Sequence, residues 1–224
     1  MTTIKDNLAT VELQISQACI SAKRSRRDVS LLAVSKTKPT QLIEQAYAAG
    51  QKEFGESYVQ EAVDKVNQLQ HLNDITWHFI GPIQSNKTRL IAENFSWVHS
   101  IDRIKIAQRL NEQRCPQDTP LNVCLQVNIS NEESKSGVSI AELEVLAEFI
   151  QGCENLSLRG LMAIPQKNAD DATFEQMYAL FRQYQEKYPQ IDTLSMGMSS
   201  DLVPAIAAGS TMIRVGSAIF GARN

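Results

Sequence analysis

The sequence predicts one α/β domain over residues 1–224, a single (β/α)8 TIM-type barrel with an extra N-terminal helix. Two observations favour this fold. Eight short runs rich in apolar and β-branched residues alternate with longer segments of helical periodicity. No Pro- or Ser-rich linker interrupts that alternation. An open doubly wound sheet is the alternative, because periodicity does not establish that a sheet closes.

The N-terminal helix is predicted by a single apolar stripe whose members recur at alternating spacings of four and three. The stripe consists of Ile4, Leu8, Val11, Ile15 and Cys19. The first strand follows at residues 31–35, where four consecutive apolar residues indicate a strand covered on both faces. Pro39 disfavours its continuation, and Thr40 is expected to cap the next helix.

The rest of the first half repeats this strand-then-helix unit. Gly50 ends the first of these helices, and Asp102 is expected to cap the last. The further strands of this half are predicted at 52–54, 76–80 and 97–100, and its helices at 40–49, 58–69, 86–93 and 102–114.

The second half continues the pattern and ends in a short turn at 217–220. Ser139 is expected to cap a helix that ends at Ile150, because Glu142 stands at the capping-box spacing. Pro189 and Gly209 end the two helices after it. The strands are predicted at 123–129, 156–164, 193–196 and 211–215, and the last two helices at 171–187 and 201–208.

Composition and charge exclude several classes of protein. A net charge of −3 and a pI near 5.7 argue against a nucleic-acid partner, which needs a concentrated positive field. The segment 1–9 has no apolar core of a signal peptide, and no apolar stretch approaches membrane-spanning length. The four cysteines form no C-x-x-C pair, which indicates reduced thiols. We therefore expect a cytoplasmic protein with no nucleic-acid and no membrane partner.

A lysine closes the first predicted strand. Lys36 follows an apolar run, and at the carboxyl end of a parallel strand it lies on the face where barrels place their ligands. Partial desolvation lowers the pKa of such a lysine and leaves more free amine to attack a carbonyl. The alternative is a solvated strand-end lysine, a role that suits Lys38 better.

Two loops near the end of the chain have the character of phosphate holders. Gly216 allows close approach of the backbone. The N–H groups of Gly216 and Ser217 stand at the start of the turn at 217–220 and would form an anion site there. Ser199, after the seventh strand, adds a hydroxyl. Phosphate binding after strands seven and eight recurs in this fold. A plain tight turn is the alternative for either loop.

Closure of the barrel would join these loops to the lysine. It places strand eight beside strand one, so Arg214 and Lys36 are predicted to end neighbouring strands about 4.8 Å apart. A flat ligand would then have an aldehyde on Lys36, a ring nitrogen facing Arg214 and a phosphate on the two loops. Arg214 itself stays protonated. These features describe pyridoxal 5′-phosphate (PLP). The charge of Arg214, directly after the apolar residues Met212 and Ile213, also requires a buried acceptor.

Other groups favour less specific roles. His78 lies within an apolar strand and is interpreted as a satisfied core histidine. His99 and Asp102 have a spacing that permits metal ligation but lack a third ligand nearby, so no metal site is predicted. Residues 197–201 lack the final glycine of a nucleophile elbow, which argues against a hydrolase. The polar loop 128–137 is either a lid or a solvated connection.

Seven motifs, in order and spread over nearly the whole chain, resemble those of the pyridoxal phosphate homeostasis proteins, whose barrel is similar to the N-terminal domain of alanine racemase. They are 32–39, 54–61, 77–87, 134–137, 160–165, 194–199 and 214–221. The resemblance implies that Lys36 carries a Schiff base and that Arg214 meets the pyridine nitrogen. It also implies that Ser199, Gly216 and Ser217 hold phosphate. One departure is Ser57, where the family usually has asparagine, so a cofactor contact from position 57 is not implied.

The expected function is that of a PLP-binding monomer that buffers or delivers the cofactor, with PLP-dependent apoenzymes as recipients and no efficient catalysis. The chain ends at 221–224, directly after the predicted closure, so the C-terminal domain that supplies a second acid/base in racemases of similar fold is expected to be missing. A small PLP-dependent amino-acid racemase is the alternative. A phosphate-sugar enzyme on the same barrel is a third hypothesis, which leaves Lys36 unexplained unless it is an aldolase lysine.

Overall fold

A computed structural model of the chain describes residues 3–130, 136–166 and 168–222. The strands, in chain order, are β1 (Ser30–Val34), β2 (Glu53–Glu56), β3 (Thr76–Phe79), β4 (Trp97–Ile101), β5 (Leu121–Val127), β6 (Leu156–Ala163), β7 (Thr193–Ser195) and β8 (Met212–Val215). The α-helices are α1 (Ile4–Ser21), α2 (Thr40–Ala48), α3 (Val59–Gln68), α4 (Thr88–Asn94), α5 (Ile104–Gln113), α6 (Ile140–Gln151), α7 (Asp171–Lys187), α8 (Leu202–Ala208) and α9 (Ser217–Phe220). Short 3₁₀ turns precede β1 and α4.

The eight strands form a closed parallel barrel in the order β1 to β8. Closure is made by β1, which pairs with β2 on one side and with β8 on the other. Every strand thus has two neighbours, and the sheet has no edge. The predicted (β/α)8 barrel is confirmed, and the open-sheet alternative is wrong.

The core lies both inside the barrel and between the barrel and its helices. Strands such as β5 are buried along nearly their whole length, as the continuous apolar runs indicated. The extra helix α1 packs against α8 and α9, and all five members of its predicted stripe are buried. Its N-terminus has a capping box between Thr3 and Asp6.

Of three predicted caps, those at Asp102 and Thr40 are wrong, and the one at Ser139 is right in position but lacks the side-chain hydrogen bond. The N-cap residue of α5 is Arg103 and not Asp102. The Asp102 carboxylate instead accepts a hydrogen bond from the Arg103 side chain at 2.6 Å. Thr40 is the first residue of α2, after Pro39 as N-cap. Ser139 does precede α6, but its hydroxyl donates to the Glu142 carboxylate at 2.6 Å and no side-chain cap forms. In each case another partner competes for the polar side chain.

Within the described part of the chain, no helix combines the length and apolarity needed to cross a membrane.

The polar loop 128–137 and the motif at 134–137 fall partly on residues 131–135, which lie outside the described residues.

Candidate cofactor site

A cavity of about 360 Å³ lies where the carboxyl ends of the strands meet. Its lining includes all five of the predicted cofactor residues. These are Lys36, Ser199, Arg214, Gly216 and Ser217. They come from the ends of β1, β7 and β8, so closure of the barrel does bring the lysine and the two loops together.

The charge of this cavity is one-sided. Lys36, Lys38 and Arg214 line it, and no carboxylate is among the described residues that do so. The whole chain, by contrast, carries a net charge of −3. Apolar walls are supplied by Val34, Ile80, Ile164 and Met198. Positive charge together with apolar walls fits an anionic ligand that has an apolar body.

Lys36 is half-buried in the turn that follows β1. The next residue, Thr37, has a left-handed backbone with φ 64°, an uncommon conformation for a β-branched residue. The N–H of Thr37 donates to Glu61 Oε1 at 2.6 Å, and the carbonyl of Ser35 accepts from Lys65 Nζ at 2.8 Å. Both chain neighbours of Lys36 are therefore held by side chains from α3, which supports the strained turn.

A buried ionic cluster, formed by Ser35, Glu56, Glu61 and Lys65, underlies this turn. Lys65 Nζ lies 2.9 Å from Glu56 Oε1 and 2.5 Å from Glu61 Oε1, and Ser35 Oγ donates to Glu56 Oε1 at 2.6 Å. Glu56 is fully buried and Lys65 is 5% exposed. Burial raises the pKa of Glu56, against the opposing effects of Lys65 and Ser35. Sequence reasoning missed this cluster.

Arg214 lies deeper than predicted. Arg214 is the second-last residue of β8, and register pairs it with Leu32 of β1, which lies four residues before Lys36. Its guanidinium donates to the carbonyl oxygens of Ser195 at 2.7 Å and Ala163 at 2.9 Å, and to Ser195 Oγ at 2.7 Å. The predicted need for a buried acceptor is thus confirmed, although these partners are all neutral. Burial lowers the pKa of Arg214 to about 10, so the side chain is charged at pH 7.

The candidate phosphate loops lie at the exposed side of the cavity. Gly216 is the N-cap residue of α9, and Ser217 is its first residue. The first N–H groups of a helix have no partner within it and are available to an anion. A Cβ added to Gly216 would lie 3.1 Å from the carbonyl oxygen of Val34, so a larger residue would press on the end of β1. Ser199 lies in the turn after β7 and is exposed.

Lys38 and Ser57 also line the cavity. Lys38 was expected to be solvated, but it is partly buried, and its Nζ donates to the carbonyl oxygen of Ala222 at 2.6 Å. Ile80 and Ile164 also line the cavity and were not predicted there. The sequence placed them as the last residues of strands 76–80 and 156–164, whereas β3 ends at Phe79 and β6 at Ala163, so both residues follow a strand on the ligand face.

His78 and His99 lie inside the barrel and are fully buried. Their rings meet through His78 Nδ1 and His99 Nε2 at 2.9 Å, while His78 Nε2 has no partner among the described residues. The prediction of a satisfied histidine therefore holds for only one nitrogen of His78. No group of three or more ligand-type side chains that could hold a metal occurs in the described ranges.

Buried neutral histidines predict acid sensitivity. Burial lowers the pKa of His78 to about 3, from an ordinary value of 6.5. Below pH 6.5 the unfolded chain therefore binds a proton that the folded chain does not, and stability falls as the pH falls towards 3. Between pH 7 and pH 5.5 we expect His78 to remove about 1 kcal/mol from the free energy of unfolding.

Urea unfolding at both pH values checks this expectation. His78→Phe should lose less stability on acidification than the unsubstituted protein does, because the substituted ring takes up no proton in either state. The exposed His71 supplies the control variant, His71→Gln. Identical pH dependence in His78→Phe and the unsubstituted protein would contradict the prediction.

Comparison with known proteins shows the general family to which this chain belongs. The chain belongs to a family described as "Alanine racemase, N-terminal domain", whose model matches residues 15–224. Alanine racemase from Corynebacterium glutamicum shares this fold with a TM-score of 0.72 at 15% identity; the match covers 97% of this chain and 61% of that one.

A narrower family follows from nearer relatives. The chain is 54% identical over 230 residues to the pyridoxal phosphate homeostasis protein of Escherichia coli K12, covering 100% of this chain and 98% of that protein. The protein of the same name from Pseudomonas aeruginosa is 53% identical over 225 residues, covering 100% and 97%. The chain therefore belongs to the pyridoxal phosphate homeostasis proteins, and the predicted resemblance is confirmed.

A solved relative was determined with PLP bound. PipY of Synechococcus elongatus is 37% identical in that structure and has a TM-score of 0.80, with 92% of this chain and 100% of that chain covered. The structure of PipY without PLP has a TM-score of 0.84, and its match covers 98% and 100%.

Proposed function

We propose that this protein binds PLP in the cavity beside Lys36 and manages the supply of the cofactor without efficient turnover of a substrate. The observation that carries the proposal is the lining of the cavity. It combines a lysine amine, a buried arginine and two serine loops, and contains no carboxylate among the described residues. The relatives named for PLP homeostasis and the PLP-bound PipY structure support the same ligand.

Each group would hold a different part of the cofactor. Lys36 would hold it covalently, Ser199 and the Gly216–Ser217 turn would bind the phosphate, and Arg214 would donate to the ring nitrogen. Bound PLP supplies an aldehyde that condenses with primary amines and a ring that can accept electrons. Because the Arg214 guanidinium only donates, it favours an unprotonated ring nitrogen, which accepts electrons poorly. We therefore propose that transaminase chemistry is absent.

The same lining argues against the racemase alternative. Inversion of an amino acid requires an acid and a base on opposite faces of the substrate. Apart from its two lysines, the described lining of the cavity offers no carboxyl, imidazole, phenol or thiol for that role. Similarity to alanine racemases at 15% identity indicates the fold alone. A carrier therefore fits the site better than a racemase does.

Cofactor exchange is the decisive measurement. We expect the purified protein to gain a visible absorption band after incubation with PLP, and to restore the activity of a PLP-dependent apoenzyme added in a separate compartment or directly. Restoration faster on direct mixing than across a membrane would indicate delivery; equal rates would indicate buffering. Racemisation of common amino acids at ordinary enzyme rates, or a protein that stays colourless with PLP, would contradict the proposal.

We also propose that the protein is a cytoplasmic monomer and that PLP-dependent apoenzymes receive the cofactor from it. Size-exclusion chromatography with light scattering tests the monomer directly. A mass near the 25.0 kDa of one chain, with and without PLP, is the expected result. A stable dimer would contradict it.

A further inference from the structure

Two buried polar atoms inside the barrel face each other without a hydrogen bond. Nε2 of His78 and Oε2 of Glu53 are 3.7 Å apart, and neither has a hydrogen-bond partner within the described part of the chain. Buried polar atoms without partners are rare and require an explanation. These two lie at the far end of a series of contacts that begins at the cofactor cavity.

The series crosses the barrel interior in three hydrogen bonds. Arg214 Nη1 donates to Ser195 Oγ at 2.7 Å. Ser195 Oγ lies 2.9 Å from His99 Nδ1, and His99 Nε2 lies 2.9 Å from His78 Nδ1. All four residues are buried, Arg214 at 4% exposure and the others completely. Glu53, beyond His78, has a side chain that is 37% exposed. The series thus connects the cavity with the opposite end of the barrel.

The direction of these hydrogen bonds follows from the chemistry of the groups. A guanidinium has no acceptor, so Ser195 Oγ accepts from Arg214, and its own hydrogen is left for His99 Nδ1. Burial lowers the pKa of both histidines, so each ring is neutral and has one donor and one acceptor. His99 then donates from Nε2 to His78 Nδ1. His78 carries its hydrogen on Nε2, which faces Glu53.

We propose that Ser195, His99, His78 and Glu53 form a one-way hydrogen-bond relay that orients the Arg214 guanidinium towards the cavity. Ser195 and His99 donate away from the cavity, and His78 presents its hydrogen to the Glu53 carboxylate, which only accepts and thereby sets the direction. The members are positioning residues, because they act on a bound ligand through Arg214. A small movement that closes the 3.7 Å gap would complete the relay. The role towards PLP rests on the proposed function.

The tautomers of the two buried histidines test the relay without any ligand. The chain has three histidines, so a long-range ¹H–¹⁵N spectrum of labelled protein contains three imidazoles, and His71→Gln assigns the exposed one. At pH 7 we expect both buried rings to carry their hydrogen on Nε2. A hydrogen on Nδ1 of either ring, or an imidazolium, would overturn the relay. This result does not depend on PLP, so it stands even if the proposed function fails.

Two variants test the positioning role in the PLP-loaded protein. Glu53→Leu removes the terminal acceptor, and His99→Phe interrupts the relay with a ring of similar size. We expect each to release PLP roughly 2- to 10-fold faster, the effect of one lost hydrogen bond, and to shift the absorption band of the bound cofactor.

Glu53→Gln keeps an acceptor oxygen and should behave like the unsubstituted protein, as should His71→Gln. Glu53→Leu lies away from the cavity and keeps the test valid if His99→Phe fails to fold. Unchanged release and absorption in a folded Glu53→Leu protein that binds PLP would overturn the positioning role. Failure of the unsubstituted protein to bind PLP would instead refute the proposed function and leave the tautomers to decide the relay.

Discussion

Lys36→Ala is expected to abolish covalent capture of PLP while leaving the barrel folded. Lys36 is half-buried in the turn after β1 and lies outside the core, so removal of its side chain leaves the packing of the strands intact. After incubation with PLP and reduction with borohydride, peptide mapping should locate the label on Lys36 in the unsubstituted protein. The variant should carry no stable label, and its far-ultraviolet circular dichroism should be unchanged.

Lys38→Ala is the matched control for that experiment. Lys38 lies two positions further along and lines the same cavity, but its Nζ is hydrogen-bonded to the carbonyl oxygen of Ala222. Loss of Lys38 should leave the label on Lys36. A label carried wholly by another lysine in the unsubstituted protein would contradict the assignment of Lys36.

The barrel was predictable because its strands are buried on both faces. Continuous apolar runs such as the one in β1 indicate this burial directly, and the helices between them have their own period. The end of β2 was missed because Gly55 and Glu56 have the composition of a turn. The strand continues through both, since the carboxylate of Glu56 is paired with Lys65 in the interior. A partner distant in sequence thus overrides the local signal.

The site was predictable where it depends on topology and unpredictable where it depends on register. Lys36, Ser199 and Gly216 follow strands, and a closed barrel gathers such residues at one face. The depth of Arg214 depends on the pairing of β8 with β1, which no pattern in the sequence reports. Lys65 was missed for another reason: with Glu61 four positions earlier, it resembles an ordinary solvated helix pair.

Lys65→Met is expected to lower the free energy of unfolding by about 3–5 kcal/mol, because it leaves the buried Glu56 charge without its partner. Glu56 Oε2 already has no hydrogen-bond partner among the described residues, so after loss of Lys65 the carboxylate would keep only the Ser35 hydroxyl, which donates to Oε1. The surface pair of Lys52 with Asp74 supplies the control. Its side chains are 41% and 54% exposed, and Lys52→Met should cost at most about 1 kcal/mol.

The pH dependence of the same variant separates lost charge pairing from lost packing. Without Lys65, the pKa of Glu56 in the folded state should rise further above the unfolded value, since burial already raises it and Lys65 is the largest opposing influence. A carboxyl whose folded pKa is raised loses stability as the pH increases, so Lys65→Met should be less destabilising at pH 5 than at pH 8. Adding Glu56→Gln removes the buried charge and should recover much of the loss at pH 8. Equal losses at both pH values, with no recovery in the double variant, would show that Lys65 acts by packing alone.

Because Lys65 also holds the carbonyl of Ser35, the single variant should in addition capture PLP on Lys36 less completely than Lys52→Met does.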